Sequence, residues 1–196
     1  WFISYCLMLL VPILIGTIIY VKAEDIVEKE IINVNTARLK QSQQAVDNGI
    51  DDVKRFVYQV MLDKKLQRLS QLTPPIKNTD YYSVYEVLSN LSNYKSVTAM
   101  ISSYYIYLKN SDKVLSGSGL ADKEIFYNRS LTSSTYNIGL PYEDWVRLVK
   151  GELKTQYIQV DTRLKDEEKP SPAVIYTQSL YSDGMAEPDA TLIIKL

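Results

Sequence analysis

The sequence predicts an α+β fold: a membrane-spanning helix and a long amphipathic helix lead into an antiparallel sheet with flanking helices. Three observations predict it. The first 21 residues, Trp1 to Val21, carry no charged side chain. The next stretch, Ala23 to Leu72, contains no proline and one glycine, Gly49. From about Val97 onward, segments rich in β-branched and aromatic residues alternate with turn clusters and short helical patterns, as in a sheet with helices on its face.

The uncharged run, residues 1–21, is read as a transmembrane helix. At about 1.5 Å per residue it spans roughly 30 Å, the hydrocarbon thickness of a bilayer. Pro12 and Gly16 are tolerated in such helices, and Trp1, Tyr5 and Tyr20 fall near its ends, where aromatic rings favour the membrane interface. A cleaved signal peptide would have a shorter apolar core and a small-x-small cleavage site, and Tyr20-Val21-Lys22-Ala23-Glu24 offers none. The chain opens on Trp and is read as a piece of a longer protein. Only one flank of the anchor is present, and it mixes Lys22 with Glu24, Asp25 and Glu28. The reading puts the anchor in the cell membrane, with the residues after about 22 outside the cell.

Residues 22–72 are read as one long helix of about 50 residues, roughly 75 Å. Ile32, Leu39, Val46, Val53 and Val60 recur at a strict seven-residue interval, with Ile50, Phe56 and Val57 beside the line. Charged residues lie between them, so the stripe is narrow, as in a coiled-coil seam. The expectation is divided along the helix. The membrane-near half pairs with a second copy, making a homodimer, and the half from Phe56 to Leu69 covers the domain. Asn35, Ser42 and Gly49 flank the seam and weaken it. Thr73-Pro74-Pro75 stops the helix.

The lobe 73–196 follows. Asp80 is the expected N-cap of a short helix ending near Asn93, with Val84, Val87, Leu88 and Leu91 at helical spacing. Val97 to Leu108 is a predicted strand. The turn Asn110-Ser111-Asp112-Lys113 leads to a second, Val114 to Ser116, ended by Gly117-Ser118-Gly119. Asp122 to Tyr127 reads as a helical turn, and Pro141 to Val149 as a helix with proline in its first turn and Gly151 as its stop. Strands are predicted at 157–160, 173–180 and 191–194. An exposed loop over 162–172 and a turn at Asp183-Gly184 separate them.

Composition narrows the function. A formal net charge of −1 offers no electrostatic case for nucleic acid. The single cysteine, Cys6, lies in the anchor, so the lobe has no internal disulfide. Histidine is absent, which removes His-based acid–base chemistry, His ligation of metals and a phosphoacceptor His. Asn90-Leu91-Ser92 and Asn128-Arg129-Ser130 match the glycosylation pattern by composition alone. The acidic stretch around Asp166, Glu167 and Glu168 lacks calcium-loop spacing. No metal, cofactor or phosphate-loop motif stands out, and no spacing singles out a Ser–Lys or carboxylate pair. The chain is therefore read as non-enzymatic.

The run LLVPILIGTIIY, the long polar helix and the strand Tyr104-Tyr105-Ile106-Tyr107-Leu108 resemble the double Cache (PAS-like) sensor modules of bacterial membrane receptors. The nearest likeness is to the extracellular half of membrane-bound AraC-type transcription regulators and sensor histidine kinases. Phe126-Tyr127, the Glu143-Asp144-Trp145 helix and the closing hairpin from Val174 to Leu196 fit the same layout. The resemblance implies a signal receptor whose PAS-like lobe takes a small molecule or a partner protein. A second lobe, a return transmembrane helix and a cytoplasmic output module would follow. The amino-acid motif Tyr-x4-Arg-x-Trp-Tyr of some such lobes is not present, because Trp145 is followed by Val146 and no arginine stands two places before it.

A ligand in such a lobe would lie between the sheet and the helical insertion. Tyr105 and Tyr107 share one strand face. Tyr127, Arg129, Tyr142 and Trp145 come from the insertion, with Arg129 suited to hold a carboxylate or phosphate and the rings to line the walls. Each residue also has an ordinary role, as core packing for the rings and as a solvated cation for Arg129. The competing class is a membrane-anchored adaptor: a coiled-coil stalk carrying a protein-interaction domain.

Overall fold

The computed structural model describes residues 2–75, 78–96, 98–130, 136, 138–151, 157–162, 171–182 and 187–196, without the side chains of 2–7, 9, 11, 78–79, 157–162 and 171–172. The expectations for Val97, for most of the 162–172 loop and for the turn at Asp183-Gly184 lie outside these residues. The chain divides into two units, 1–48 and 49–196.

Helix α1 (Phe2–Leu62) supplies the described backbone of the first unit and opens the second. In the first unit Ile32, Leu39 and Val46 are exposed. Among the described residues no helix is long and apolar enough to cross a membrane. Several side chains that carry the transmembrane reading, those of residues 1–7, 9 and 11, lie outside them. In the second unit Val53 and Val60, of the same heptad line, are buried with Phe56 and Val57.

The long helix does not run to Leu72. It breaks at Asp63, whose backbone leaves helical geometry (φ −71°, ψ 105°) and caps α2 (Lys64–Ser70). The Asp63 carboxylate accepts from Lys65 N at 2.8 Å and Leu66 N at 3.1 Å, satisfying donors that a new helix would otherwise leave open. Its second oxygen accepts from Asn90 Nδ2 at 3.1 Å. The helix therefore ends before the prolines are reached. Helix α3 (Asn78–Lys95) starts two residues ahead of the expected cap, which places Asp80 in its first turn instead. There its charge complements the helix dipole.

The expected strand from Val97 is shortened to β1 (Ser103–Leu108). The chain turns after α3, with Thr98 N donating to Lys95 O at 3.0 Å, and needs residues 98–102 to reach the sheet. Strand β2 (Lys113–Ser116) follows a four-residue loop. Gly117-Ser118 does not end the hairpin ladder but reverses it into β3 (Gly119–Asp122), with Ser116 opposite Gly119. Gly119 has φ +112°, a backbone that favours glycine. Helices α4 (Lys123–Ser130) and α5 (Tyr142–Val149) form the insertion before β4 (Tyr157–Thr162), β5 (Ser171–Leu180) and β6 (Ala190–Lys195). Ser171 and Pro172, expected in a loop, belong to β5. Pro172 stands opposite Asp161 of β4, whereas β6 pairs with β5 only from Ile175, so on that side the missing N–H breaks no ladder.

The strands form one six-stranded antiparallel sheet in the order β3-β2-β1-β6-β5-β4. Alternation sends even-numbered residues of β1 and β6 to one face and odd-numbered ones to the other. Tyr104, Ile106, Leu108, Leu192 and Ile194 pack with Val53, Phe56, Val60, Leu66, Leu69, Val87 and Leu91. Fully burying a side chain of this kind contributes about 1.5–3 kcal/mol. Tyr105, Tyr107 and Ile193 point to the opposite face, against the insertion.

Candidate ligand-binding site

The insertion face is built on β1 and α5. Helix α5 starts where Trp145 N donates to Pro141 O at 2.9 Å, so Pro141 is its N-cap and not a residue of its first turn. Its end is set by Gly151, at φ +74°, whose N–H donates to Leu148 O at 3.0 Å. Between these ends Trp145, Leu148 and Val149 fall on one buried face. That register points Trp145 at the sheet, where its Nε1 donates to the Tyr105 hydroxyl at 2.9 Å.

Trp145 is the centre of a ring array. Its ring centroid lies 5.3 Å from Tyr127, 6.0 Å from Tyr142 and 6.3 Å from Phe126. Phe126 is 4.9 Å from Tyr105 and 5.5 Å from Tyr136, and Tyr127 meets Tyr142 edge-on at 5.0 Å. Such pairs contribute about 0.5–1.5 kcal/mol beyond their area. Tyr105 and Trp145 are fully buried, while Tyr127, Tyr136 and Tyr142 are half-buried at the rim. The Tyr127 hydroxyl donates to Leu140 O at 2.8 Å.

A polar group adjoins the rings. The Tyr107 hydroxyl donates to Asp112 Oδ1 at 2.7 Å, and Lys123 Nζ donates to Asp112 Oδ2 at 2.8 Å. Asp112 sits at φ 55° in the β1–β2 loop, a conformation that Asp tolerates through its short polar side chain. Burial alone would raise its carboxyl, but the hydrogen bonds from Lys123 and Tyr107 hold it below the ordinary value. The hydrogen bond to Asp112 raises Lys123. Burial pushes the phenols of Tyr105 and Tyr107 far up, so both stay neutral at any physiological pH.

Five of the six ligand residues expected from the sequence, Tyr105, Tyr107, Tyr127, Tyr142 and Trp145, come together here. Arg129 is exposed on the last turn of α4, and Lys123 is a cation tied to the cluster. Asp112 and Lys123, which adjoin the rings, are not among the residues expected from the sequence. The Asn-Ser-Asp-Lys turn carried a signal for Asp112, but nothing in the local pattern paired it with a lysine eleven residues on. Tyr136 carried no signal, since no periodicity surrounds it. The array presents half-buried ring faces beside an acid–base pair, which suits an apolar or aromatic group bearing a hydrogen-bonding end.

No protein-family model matches the chain, and no curated protein matches it. Solved structures with some likeness are sensory domains of the Campylobacter jejuni chemoreceptor Tlp3 (CcmL). The one with isoleucine bound is 16% identical, with a TM-score of 0.37, and the match covers 78% of this chain and 55% of that one. The ligand-binding domain in complex with L-valine is 16% identical, with a TM-score of 0.36 and coverages of 78% and 56%. This chain thus spans about half the length of the receptor domains it matches.

Proposed function

We propose that the chain is the extracellular signal-sensing module of a bacterial transmembrane receptor, anchored by residues 1–21. In this reading the insertion face takes a small molecule or a partner protein, and α1 relays the event to an output module elsewhere in the receptor. The observation that carries the reading is the double use of β1. Tyr105 and Tyr107 hold the insertion face, while Tyr104 and Ile106 pack on the other side among residues of α1, with the Tyr104 and Phe56 rings 5.2 Å apart. A ligand that reseats the rings displaces a strand whose other side bears on the helix, the kind of packed two-position element through which coupling travels.

The test is a thermal-shift screen of the part starting near Asp25, against amino acids, organic acids, sugars and nucleosides. A ligand that binds only the folded state raises the melting temperature by mass action, about 2.7 kcal/mol at a hundredfold excess over Kd. A saturable shift lost in Tyr142→Ala or Arg129→Ala supports the reading. Trp145→Ala is a poor probe, because this buried ring also holds the core. No shift across the panel moves the reading to a partner protein or to the anchored adaptor. For the relay, Val46→Asp is the clean substitution. Val53→Asp would bury an unpaired carboxylate among Val57, Phe56 and Val60 and unfold the lobe.

A further inference from the structure

On the helix face, α1 and the end of α3 enclose a cavity of about 60 Å³ lined by Asp52, Arg55, Phe56, Gln59, Tyr94 and Thr98. The turn after α3, with Thr98 N donating to Lys95 O at 3.0 Å, holds Thr98 against α1. Thr98 is 5% exposed, and its Oγ1 has no hydrogen-bond partner among the described residues. Buried hydroxyls are nearly always bonded, and one that lines a polar cavity points to a ligand that completes it. The cavity exceeds a single water site. At roughly 10–15 Å³ per water-sized group, it has room for about four to six.

The lining sets the chemistry. Asp52 and Arg55 form an ion pair with each other, so their charges cancel and no net charge is selected. Arg55, Gln59, Tyr94 and Thr98 all bear donors, whereas Asp52 is already engaged. Among the described residues the Tyr94 hydroxyl has one long contact, 3.5 Å, to Asp63 Oδ2. Phe56 is the apolar wall. We propose that this cavity is a binding site for a small uncharged molecule with acceptor oxygens, an amide or a diol of about four to six non-hydrogen atoms. Such a ligand rests on Asp52, Phe56 and Gln59 of α1 and on the opposite side of the sheet from the ring array, so it is independent of the ligand face proposed above.

The experiment is a thermal titration of the full chain in detergent micelles with acetamide and with ethylene glycol, for wild type, Thr98→Val and Thr98→Ser. The expected result is a saturable rise in melting temperature with at least one probe in wild type and Thr98→Ser, and none in Thr98→Val. Without probe, Thr98→Val melts as high as wild type or higher, because it removes an unpaired hydroxyl at constant volume. The proposal is overturned if neither probe gives a saturable rise, if Thr98→Val responds like wild type, or if Thr98→Val melts well below wild type in buffer. A shift that survives in Thr98→Val but is lost in Tyr142→Ala belongs to the ring array and equally overturns it. If Thr98→Val does not fold, the exposed variant Gln59→Leu decides: a severalfold weaker titration midpoint supports the site, and an unchanged midpoint rejects it.

Discussion

The two faces of the sheet are filled by different chemistry. The helix face is mostly aliphatic, with Val53, Val57, Val60, Leu66, Leu69, Val84, Val87 and Leu91 laid on Ile106, Leu108, Leu192 and Ile194. The insertion face sets the rings of Tyr105, Tyr107, Phe126 and Trp145 among aliphatic residues, and its central ring is oriented by one buried hydrogen bond, Trp145 to Tyr105. Aliphatic packing depends on volume and tolerates small rotations, whereas stacked rings with a shared donor fix direction as well. The difference teaches where specificity sits in this lobe. Change in the aliphatic core of the helix face costs mainly volume, and change at Trp145 or Tyr105 on the insertion face costs volume and an oriented polar bond.

The largest expected effect tests that statement directly. Phe56→Ala and Trp145→Ala each remove a fully buried ring and should each cost about 3–5 kcal/mol in urea unfolding. Trp145→Ala should be the worse, because it also leaves the Tyr105 hydroxyl buried without its donor. If the two cost the same, the hydrogen bond adds nothing and the contrast between the faces fails. The next effect isolates the bond. Tyr105→Phe keeps the ring but strands Trp145 Nε1, for an expected loss of about 1–3 kcal/mol. A double-mutant cycle with Trp145→Phe should show coupling, since among the described residues the two groups bond to each other.

A third variant asks whether the helix face is as free of directional bonds as its core implies. Asp63→Ala should cost about 1–2 kcal/mol, because the carboxylate caps α2 and also holds Asn90 of α3. Asp63→Asn keeps an acceptor and should lose clearly less. If Asp63→Ala were neutral in the same unfolding assay, the break in the long helix would owe nothing to the cap.

The contrast between the faces was partly legible in the sequence. Period-two alternation in Tyr104–Leu108 separates the rings that face the insertion from those that face the helix, and helical spacing in Tyr142–Val149 brings Trp145, Leu148 and Val149 to one side. Local patterns of this sort carry over because the backbone alone enforces them. The break at Asp63 was not legible, since an aspartate within a polar helix reads as a solvated residue until Asn90, 27 positions on, arrives beside it. Strand β3 was missed because Gly117-Ser118-Gly119 ends a strand or reverses it with equal ease, and only the ladder against β2 decides between them. Pro172 reads as loop in the sequence because proline cannot donate to a ladder. Its position at the overhang of β5 beyond β6 is a property of the sheet and not of the segment. Arg129 is exposed near the end of α4, and the charge that singles it out in the sequence does not fix the direction of its side chain.

The smallest effect concerns the polar group beside the rings. Asp112→Asn keeps a residue that tolerates φ 55° and removes the charge that binds Lys123. Because the folded state lowers the Asp112 carboxyl, its contribution is present above the unfolded value of 3.8 and is lost as pH falls through the lower folded value. Lys123 is raised, so its share is complete below 10.5 and is lost only as pH rises through a value above that. Between these limits the gap in melting temperature between wild type and Asp112→Asn should be flat and small, since the carboxylate side chain is 56% exposed and screened. It should close on acidification below 3.8, with wild type falling to meet the variant. A gap that instead widens in acid would mean that Asp112 is stabilised in its protonated form, and the Tyr107–Asp112–Lys123 arrangement would then be a neutral hydrogen-bond chain and not an ion pair beside the ring array.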